Sequence, residues 1–118
     1  LSWTVKTAGD RIIRSLNSWL YSQGQRRYIS ELSLASTLAV LIIKSTKAHL
    51  FHVGDSRIYL IRDGKIKCLT KDHRLVIDCT KNYLARAMGG ENEVNIDYDN
   101  LAINVGDVFL LSTDGIHE

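Results

Sequence analysis

Two aspartates stand next to glycine where an apolar stretch of the chain ends. Asp55 follows Gly54 after residues 50–53, and Asp114 precedes Gly115 after residues 107–113. A carboxylate at the end of a strand is held rigidly yet can face solvent, and Mg²⁺, Mn²⁺ and Ca²⁺ prefer such oxygen ligands. The residues by themselves leave two interpretations open, a site for a hard cation or two ordinary turns, because Asp-Gly is also a common turn pair.

Other side chains that could do chemistry lack partners at a useful spacing. The four histidines show no metal-ligand spacing, and His49 and His52 should point to opposite faces of a predicted strand. Cys68 and Cys79 form no C-x-x-C pair, which argues against zinc and is typical of a reducing compartment such as the cytoplasm. Ser112 has a hydroxyl but no recognisable base beside it, so core packing explains it better than nucleophilic catalysis.

The first element that must support these residues is an amphipathic helix from Thr4 to about Gln23, with Gly24 as its stop. Apolar residues recur there at steps of three and four, as expected for one buried stripe. The stripe consists of Val5, Ala8, Ile12, Ile13, Leu16, Trp19 and Leu20. Arg26 and Arg27 follow, and they are more typical of a solvated loop than of a phosphate site.

Strands are predicted next. The apolar, β-branched stretch from Ser36 to Ile43 indicates a central strand, and residues 48–53 indicate the following one. Asp63-Gly64 predicts a two-residue hairpin turn, because both turn positions require a positive φ. We expect these four strands to form an antiparallel meander that the helix covers on one face, an α+β arrangement.

Periodicity is weaker in the remainder. We expect one or two helical turns from Asn82 to Met88 and a brief strand near Val94 to Tyr98. A turn at residues 104–106 should precede a final buried apolar strand that begins at Asp107.

Length and charge exclude several classes of protein. The 118 residues fit one domain with a single core, and the net charge of +2 comes from acidic and basic residues that are mixed along the chain. Nucleic acid is therefore a poor candidate partner. The longest apolar run is far shorter than the roughly 20 residues that cross a bilayer, so no membrane contact is expected. Since the chain begins at Leu1 without Met and stops soon after a strand, we expect a fragment.

Five short sequence blocks occur in a fixed order along the chain. They are Ala35-Ser36-Thr37-Leu38, then the run Phe51 to Tyr59, then Leu69 to His73, then Leu84 to Gly89, and finally Gly106 to Gly115. In content and order these blocks resemble the metal-dependent protein phosphatases, the PPM or type 2C family. The hairpin segment from Arg57 to Lys65 is especially similar to bacterial members.

The resemblance implies a four-layer α-β-β-α sandwich of antiparallel sheets flanked by helices. It also implies hydrolysis of phosphoserine and phosphothreonine by a water activated by Mg²⁺ or Mn²⁺, with two or more ions in a complete domain. Asp114 corresponds to a family aspartate that binds the catalytic metal, and Asp55 to one associated with an additional metal. The implied partners are a phosphorylated protein substrate and a kinase domain in the same parent chain, and the implied location is the cytoplasm.

Two family blocks have no counterpart in the sequence. The Asp-Gly-x-Gly-Gly block should precede the first helix, and the Asp-Asn block should lie beyond Glu118. Residues 1–118 are therefore expected to be a single, incomplete phosphatase domain. A noncatalytic phosphatase-like module that binds a phosphoprotein or scaffolds a partner is the alternative interpretation.

Overall fold

The structure is a computed structural model, and it describes residues 4–26, 35–78, 81–84 and 87–113. These ranges contain one helix and eight strands. In chain order they are α1 (Val5–Arg26), β1 (Leu38–Lys44), β2 (Lys47–Val53), β3 (Arg57–Arg62), β4 (Lys65–Cys68), β5 (Arg74–Asp78), β6 (Lys81–Leu84), β7 (Asp97–Ala102) and β8 (Val108–Ser112). No helix among these residues is long and apolar enough to cross a membrane.

A side-chain cap starts helix α1, which runs past the glycine predicted to end it. The Oγ1 atom of Thr4 accepts a hydrogen bond from the backbone N–H of Thr7 at 3.1 Å, as an N-cap residue does. Gly24 is buried inside the helix, so the predicted stop there is wrong. A glycine in a helix costs only about 1 kcal/mol relative to alanine, and tertiary packing can override that preference.

The buried face of α1 is narrower than the predicted apolar stripe. Ile13 and Asn17 are buried, with 4% and 1% of their surface exposed, whereas Ile12, Leu16 and Trp19 expose 69%, 42% and 57%. The prediction of one buried stripe is therefore wrong for these last three residues. The apolar positions extend around two sides of the helix, and the sheet covers one side.

Phe51 lies at the centre of the core between α1 and the first sheet. Its side chain is 1% exposed and belongs to a buried cluster with Ile13, Val53, Met88 and Val94. The ring also lies so close to Gly9 that a Cβ atom there would approach its Cζ atom to 2.4 Å. The helix therefore sits directly on β2, the strand that leads to Asp55.

Eight strands form three antiparallel sheets in the described residues, in the orders β1-β2-β7, β4-β3-β8 and β5-β6. The predicted four-stranded meander is wrong, because β2 and β3 lie in different sheets. The prediction of a central strand at β1 is also wrong for the part of the chain that the structure describes, where β1 lies at an edge of its sheet and β2 is central. The chain changes sheets at the bend between β2 and β3, which a meander would have used as a hairpin.

Both faces of β2 are covered. Phe51 and Val53 face α1, and Ala48 and Leu50 alternate with them and are also buried. In the second sheet Ile58 and Leu60 are buried. Leu60 of β3 and Leu101 of β7 line one groove of about 720 Å³, and Arg62 of β3 donates to the carbonyl of Ala102 in β7, so the two three-stranded sheets are adjacent. This arrangement agrees with the predicted α+β class and with part of a layered sandwich.

The β3–β4 hairpin is confirmed. Asp63 and Gly64 have φ angles of 53° and 73°, and Arg62 pairs with Lys65 across the turn. Positive φ at both positions is the signature of a type I′ turn.

The later elements match the predictions less well. Residues 81–84 form a strand paired with β5, so the predicted helical turns are wrong there. The strand expected near Val94 to Tyr98 begins only at Asp97 and extends to Ala102. The final strand is not buried as predicted, because Val108 and Leu110 of β8 are 54% and 43% exposed. Among the residues that the structure describes, β8 lies at the edge of its sheet.

Asn17 ties the helix to the loop before β7. Its Oδ1 atom accepts the N–H of Gly89 at 2.6 Å, and its Nδ2 atom donates to the carbonyl groups of Glu91 and Asn92. A buried amide needs such partners, since an unsatisfied polar group in the interior costs about 1–3 kcal/mol. The loop therefore has a defined position beneath the helix.

An ion pair joins β3 to the turn that precedes β8. Arg62 donates two hydrogen bonds to the Asp107 carboxylate, at 2.9 and 2.6 Å, and the side chain of Asp107 is 5% exposed. Asp107 also accepts the backbone N–H of Asn104. The Arg62 hydrogen bonds, followed by that of Asn104, lower the pKa of Asp107 to about 2.

Candidate functional site

Asp55 lies in the bend that carries the chain from the first sheet to the second. Gly54 has a φ of 97°, a conformation that favours glycine, and β3 begins two residues after Asp55. Asp55 itself is only 4% exposed. The structure thus places this carboxylate at a strand end as predicted, but the expectation that it faces solvent is wrong.

One side of this bend is braced by Asp72. Arg57 donates to both carboxylate oxygens of Asp72, at 2.9 and 2.7 Å, and also to the hydroxyl of Tyr59 at 3.1 Å. The Asp72 hydrogen bonds, followed by that of Tyr59, raise the pKa of Arg57 above its usual value. A two-bonded pair of this kind fixes orientation as well as charge. Arg57 therefore cannot turn without breaking contacts to a second segment of the chain.

His73 braces the other side by bonding twice to Gly54. The backbone N–H of His73 donates to the carbonyl of Gly54 at 3.0 Å, and the imidazole Nδ1 accepts the N–H of Gly54, also at 3.0 Å. The ring is buried and its Nε2 atom lies 2.7 Å from Oδ2 of Asp97. Both polar groups of the Gly54 backbone are thus held by one residue.

His52, His73 and Asp97 together form a cluster whose potential ligand atoms all lie within 4.8 Å of one another. The hydrogen bonds assign their protons. Nδ1 of His73 is an acceptor, so its proton is on Nε2 and is donated to Asp97. Nε2 of His52 lies 2.8 Å from the carbonyl of Lys71 and must also be a donor. Both Nε2 atoms carry protons, so this cluster is a hydrogen-bond network and does not fit a metal.

Asp55 fits a hard cation better than the histidine cluster does. Its carboxylate supplies oxygen ligands from a rigid strand end, and Mg²⁺ and Mn²⁺ take such ligands rather than protonated imidazoles. Asp114 lies outside the described residues, so its position next to Asp55 remains a prediction. Within the described strands, Arg57 of β3 pairs with Ser112 of β8. These two residues stand two positions after Asp55 and two positions before Asp114.

Contacts between distant parts of the sequence converge near the bend. The hydroxyl of Thr37 lies 2.6 Å from that of Ser56, which follows Asp55. Ser36 forms an isolated bridge with Met88. The residues around 36, 55, 73 and 88 are widely separated in the sequence but are linked here by hydrogen bonds.

The sequence does not reveal the histidine network. The prediction that His49 and His52 do not form a pair is confirmed, since His49 bonds to Tyr98 and His52 to Lys71. No sequence pattern predicts that His52 stacks on His73, with ring centroids 4.4 Å apart. The 21 positions that separate the two histidines carry no spacing signal. The position of His73 directly after Asp72, in a block that resembles the family, was the available signal.

Comparison with protein families identifies the chain. A family model described as protein phosphatase 2C matches residues 5–118. The chain belongs to the protein phosphatase 2C family. Among the curated members, protein phosphatase PhpP of Streptococcus pneumoniae is 33% identical over 98 residues, which cover 70% of this chain and 40% of PhpP. Serine/threonine phosphatase stp of Listeria welshimeri is 31% identical over 98 residues, which cover 70% of this chain and 39% of that relative.

Two solved structures are similar to this chain in fold. PppA, described as a regulatory component of the type VI secretion system of Pseudomonas aeruginosa, has a TM-score of 0.80 and 27% identity, covering 89% of this chain and 47% of PppA. The catalytic domain of the serine/threonine phosphatase PstP, solved with two manganese ions, has a TM-score of 0.80 and 26% identity, covering 98% and 53%. The chain thus spans about half of these two solved chains and about 40% of the curated relatives.

Proposed function

We propose that the chain is the central part of a bacterial, metal-dependent protein serine/threonine phosphatase. The observation that carries this proposal is the bend at Gly54 and Asp55, where a buried carboxylate is braced on both sides at a junction between two sheets. Its relatives PhpP and stp are named phosphatases, which supports the reaction class. The proposal includes that residues 1–118 are an incomplete domain.

Asp55 and Asp114 are the metal ligands that we assign within this chain. Mg²⁺ or Mn²⁺, when bound, neutralises phosphate charge and lowers the pKa of a water that can attack phosphorus. The task of the protein is then to hold carboxylates at fixed positions, which a rigid strand end does well. The two manganese ions in the PstP structure support a metal of this type.

The substrate that we propose is a protein phosphorylated on serine or threonine. A kinase domain in the same parent chain and a cytoplasmic location, without membrane contact in this segment, complete the proposal. Acidic and basic residues are mixed along the sequence without a dense basic run, which supports a protein substrate over nucleic acid.

Substitution of the two aspartates in the full-length protein tests this assignment. We expect Asp114→Asn to lower Mn²⁺-dependent turnover of a phosphopeptide at least about 100-fold without changing the melting temperature, because an amide is a much weaker ligand for a hard cation. Asp55→Asn should be milder, about 10-fold, since it belongs to an additional metal. Activity of Asp114→Asn near the level of the unsubstituted protein would remove that residue from the site.

Asp63→Asn is the matched control. Asp63 is exposed in the hairpin turn at a φ of 53°, a conformation that asparagine also adopts, so this change removes one carboxylate without strain. Its turnover should equal that of the unsubstituted protein. A full-length protein that binds the phosphopeptide and never hydrolyses it would instead support the noncatalytic module.

A further inference from the structure

We propose that His73 is a positioning residue that sets the direction of the Asp55 carboxylate through the backbone of Gly54. Three observations lead to this role: the double hydrogen bond to Gly54, the burial of the ring, and the support of the ring by Asp97 and His52. The metal part of the inference rests on the proposed function, whereas the hydrogen-bond part does not.

The geometry explains why a histidine is needed. The ring must accept a proton at Nδ1, from Gly54, and donate one at Nε2, to Asp97, and neutral imidazole is the side chain that does both at opposite edges. Asp97 therefore selects the Nε2–H tautomer, which leaves Nδ1 open for Gly54. Stacking of His52 on the ring, at 4.4 Å, limits rotation of the ring about χ2.

The peptide between Gly54 and Asp55 transmits the constraint. His73 fixes the N–H and the C=O of Gly54, whose φ of 97° is outside the regions that other residues favour. The next Cα belongs to Asp55, so the direction in which its side chain leaves the backbone follows from the orientation of Gly54. On the other side, Arg57 is held by Asp72, one residue before His73. The consecutive residues Asp72 and His73 thus hold both ends of the bend in place through hydrogen bonds.

This role resembles the support that outer hydrogen bonds give to metal ligands in other proteins, where their loss costs about 10–100-fold in affinity or activity. Here the support reaches the Asp55 carboxylate through the main chain. Loss of His73 should therefore leave the carboxylate in place but make its orientation less well defined.

The variants His73→Asn and His73→Gln separate the two hydrogen bonds of the ring, the one from Gly54 and the one to Asp97. His73→Asn keeps an acceptor oxygen at the position of Nδ1 but cannot reach Asp97. His73→Gln can reach Asp97 with its terminal amide but has no acceptor at the δ position. We expect His73→Asn to keep hydrogen-exchange protection of the Gly54 amide, and His73→Gln to lose it, both measured by NMR on the full-length protein.

In the full-length protein we expect the two His73 variants to differ in the Mn²⁺ dependence of turnover. We expect His73→Gln to raise the Mn²⁺ concentration for half-maximal turnover about 10-fold, and His73→Asn to change it by about twofold or less. If the His73 ring served only in packing, both variants would have a lower melting temperature, and they would not differ in the Mn²⁺ concentration for half-maximal turnover. His49→Asn and His49→Gln are the controls, because His49 lies on β2, the strand that leads to the bend, but bonds to Tyr98 and not to Gly54.

A measurement without any substitution covers the case in which His73→Gln does not fold. The imidazole ¹⁵N shifts of the unsubstituted chain should show the Nε2–H tautomer of His73, with a scalar coupling between Nδ1 and the Gly54 amide nitrogen. The Nδ1–H tautomer, or equal behaviour of the two His73 variants in amide exchange and metal dependence, would overturn the proposal. If the unsubstituted full-length protein has no turnover, the proposed function fails, while the NMR results still decide the role of His73 at Gly54.

Discussion

Gly9→Ala should destabilise the protein although alanine is the better helix former. In a helix interior this change alone would stabilise by about 1 kcal/mol. The new Cβ atom, however, would lie 2.4, 2.7 and 2.9 Å from three ring atoms of Phe51. Because carbon atoms pack at about 3.5–4.0 Å, the ring or the helix must move by about 1 Å.

The ring has little space in which to move. Phe51 is 1% exposed and its centroid lies 5.0 Å from that of Tyr98. Overpacking of a tight core costs about 1–3 kcal/mol. Because the Phe51 ring has little space to move, we expect a cost near the upper end of this range, about 3 kcal/mol. The net loss in the free energy of unfolding is then about 2 kcal/mol, which lowers the melting temperature by about 8 °C for a domain of this size.

Urea denaturation of the single and double variants tests this reasoning. Phe51→Leu removes the crowded ring atoms at its own cost, so Gly9→Ala should cost less in the Phe51→Leu background than in the unsubstituted chain. Ser15→Ala, at an exposed helix position, should be neutral or slightly stabilising and controls for helix propensity. A Gly9→Ala chain as stable as the unsubstituted one would refute the close contact as the reason for this glycine.

Two further predictions concern charge and metal. Asp107 has its pKa lowered from 3.8 to about 2, so its contribution to stability is present above about pH 4 and is lost as the pH falls through about 2. Asp107→Asn should therefore flatten the fall in melting temperature between those pH values. The isolated 118-residue chain should bind Mn²⁺ only weakly and hydrolyse no phosphopeptide, because Asp55 and Asp114 are its only recognised ligands. Micromolar binding by calorimetry together with turnover would contradict this.

The sequence by itself determined the features that depend on neighbouring residues. The β3–β4 turn follows from Asp63-Gly64, since few other pairs adopt positive φ at both positions. The strands β1, β2 and β8 follow from local periodicity within one or two residues of their observed bounds. The helix follows from it as well, but its end at Arg26 lies three residues beyond the predicted one. The family also followed from the sequence, because its motifs are short blocks in a fixed order, and the match to residues 5–118 confirms it.

Only the tertiary structure decided which strands pair and which side chains meet. A bend at Gly54 can close a hairpin or pass the chain to another sheet, and the choice depends on packing against β7 and β8, some 50 residues later. Exposure of Ile12 and Trp19 likewise depends on which side of the helix the sheet covers. The contact of His73 with Gly54 joins residues in different elements, and no local pattern encodes it because hydrogen bonds between segments form only where the fold brings them together.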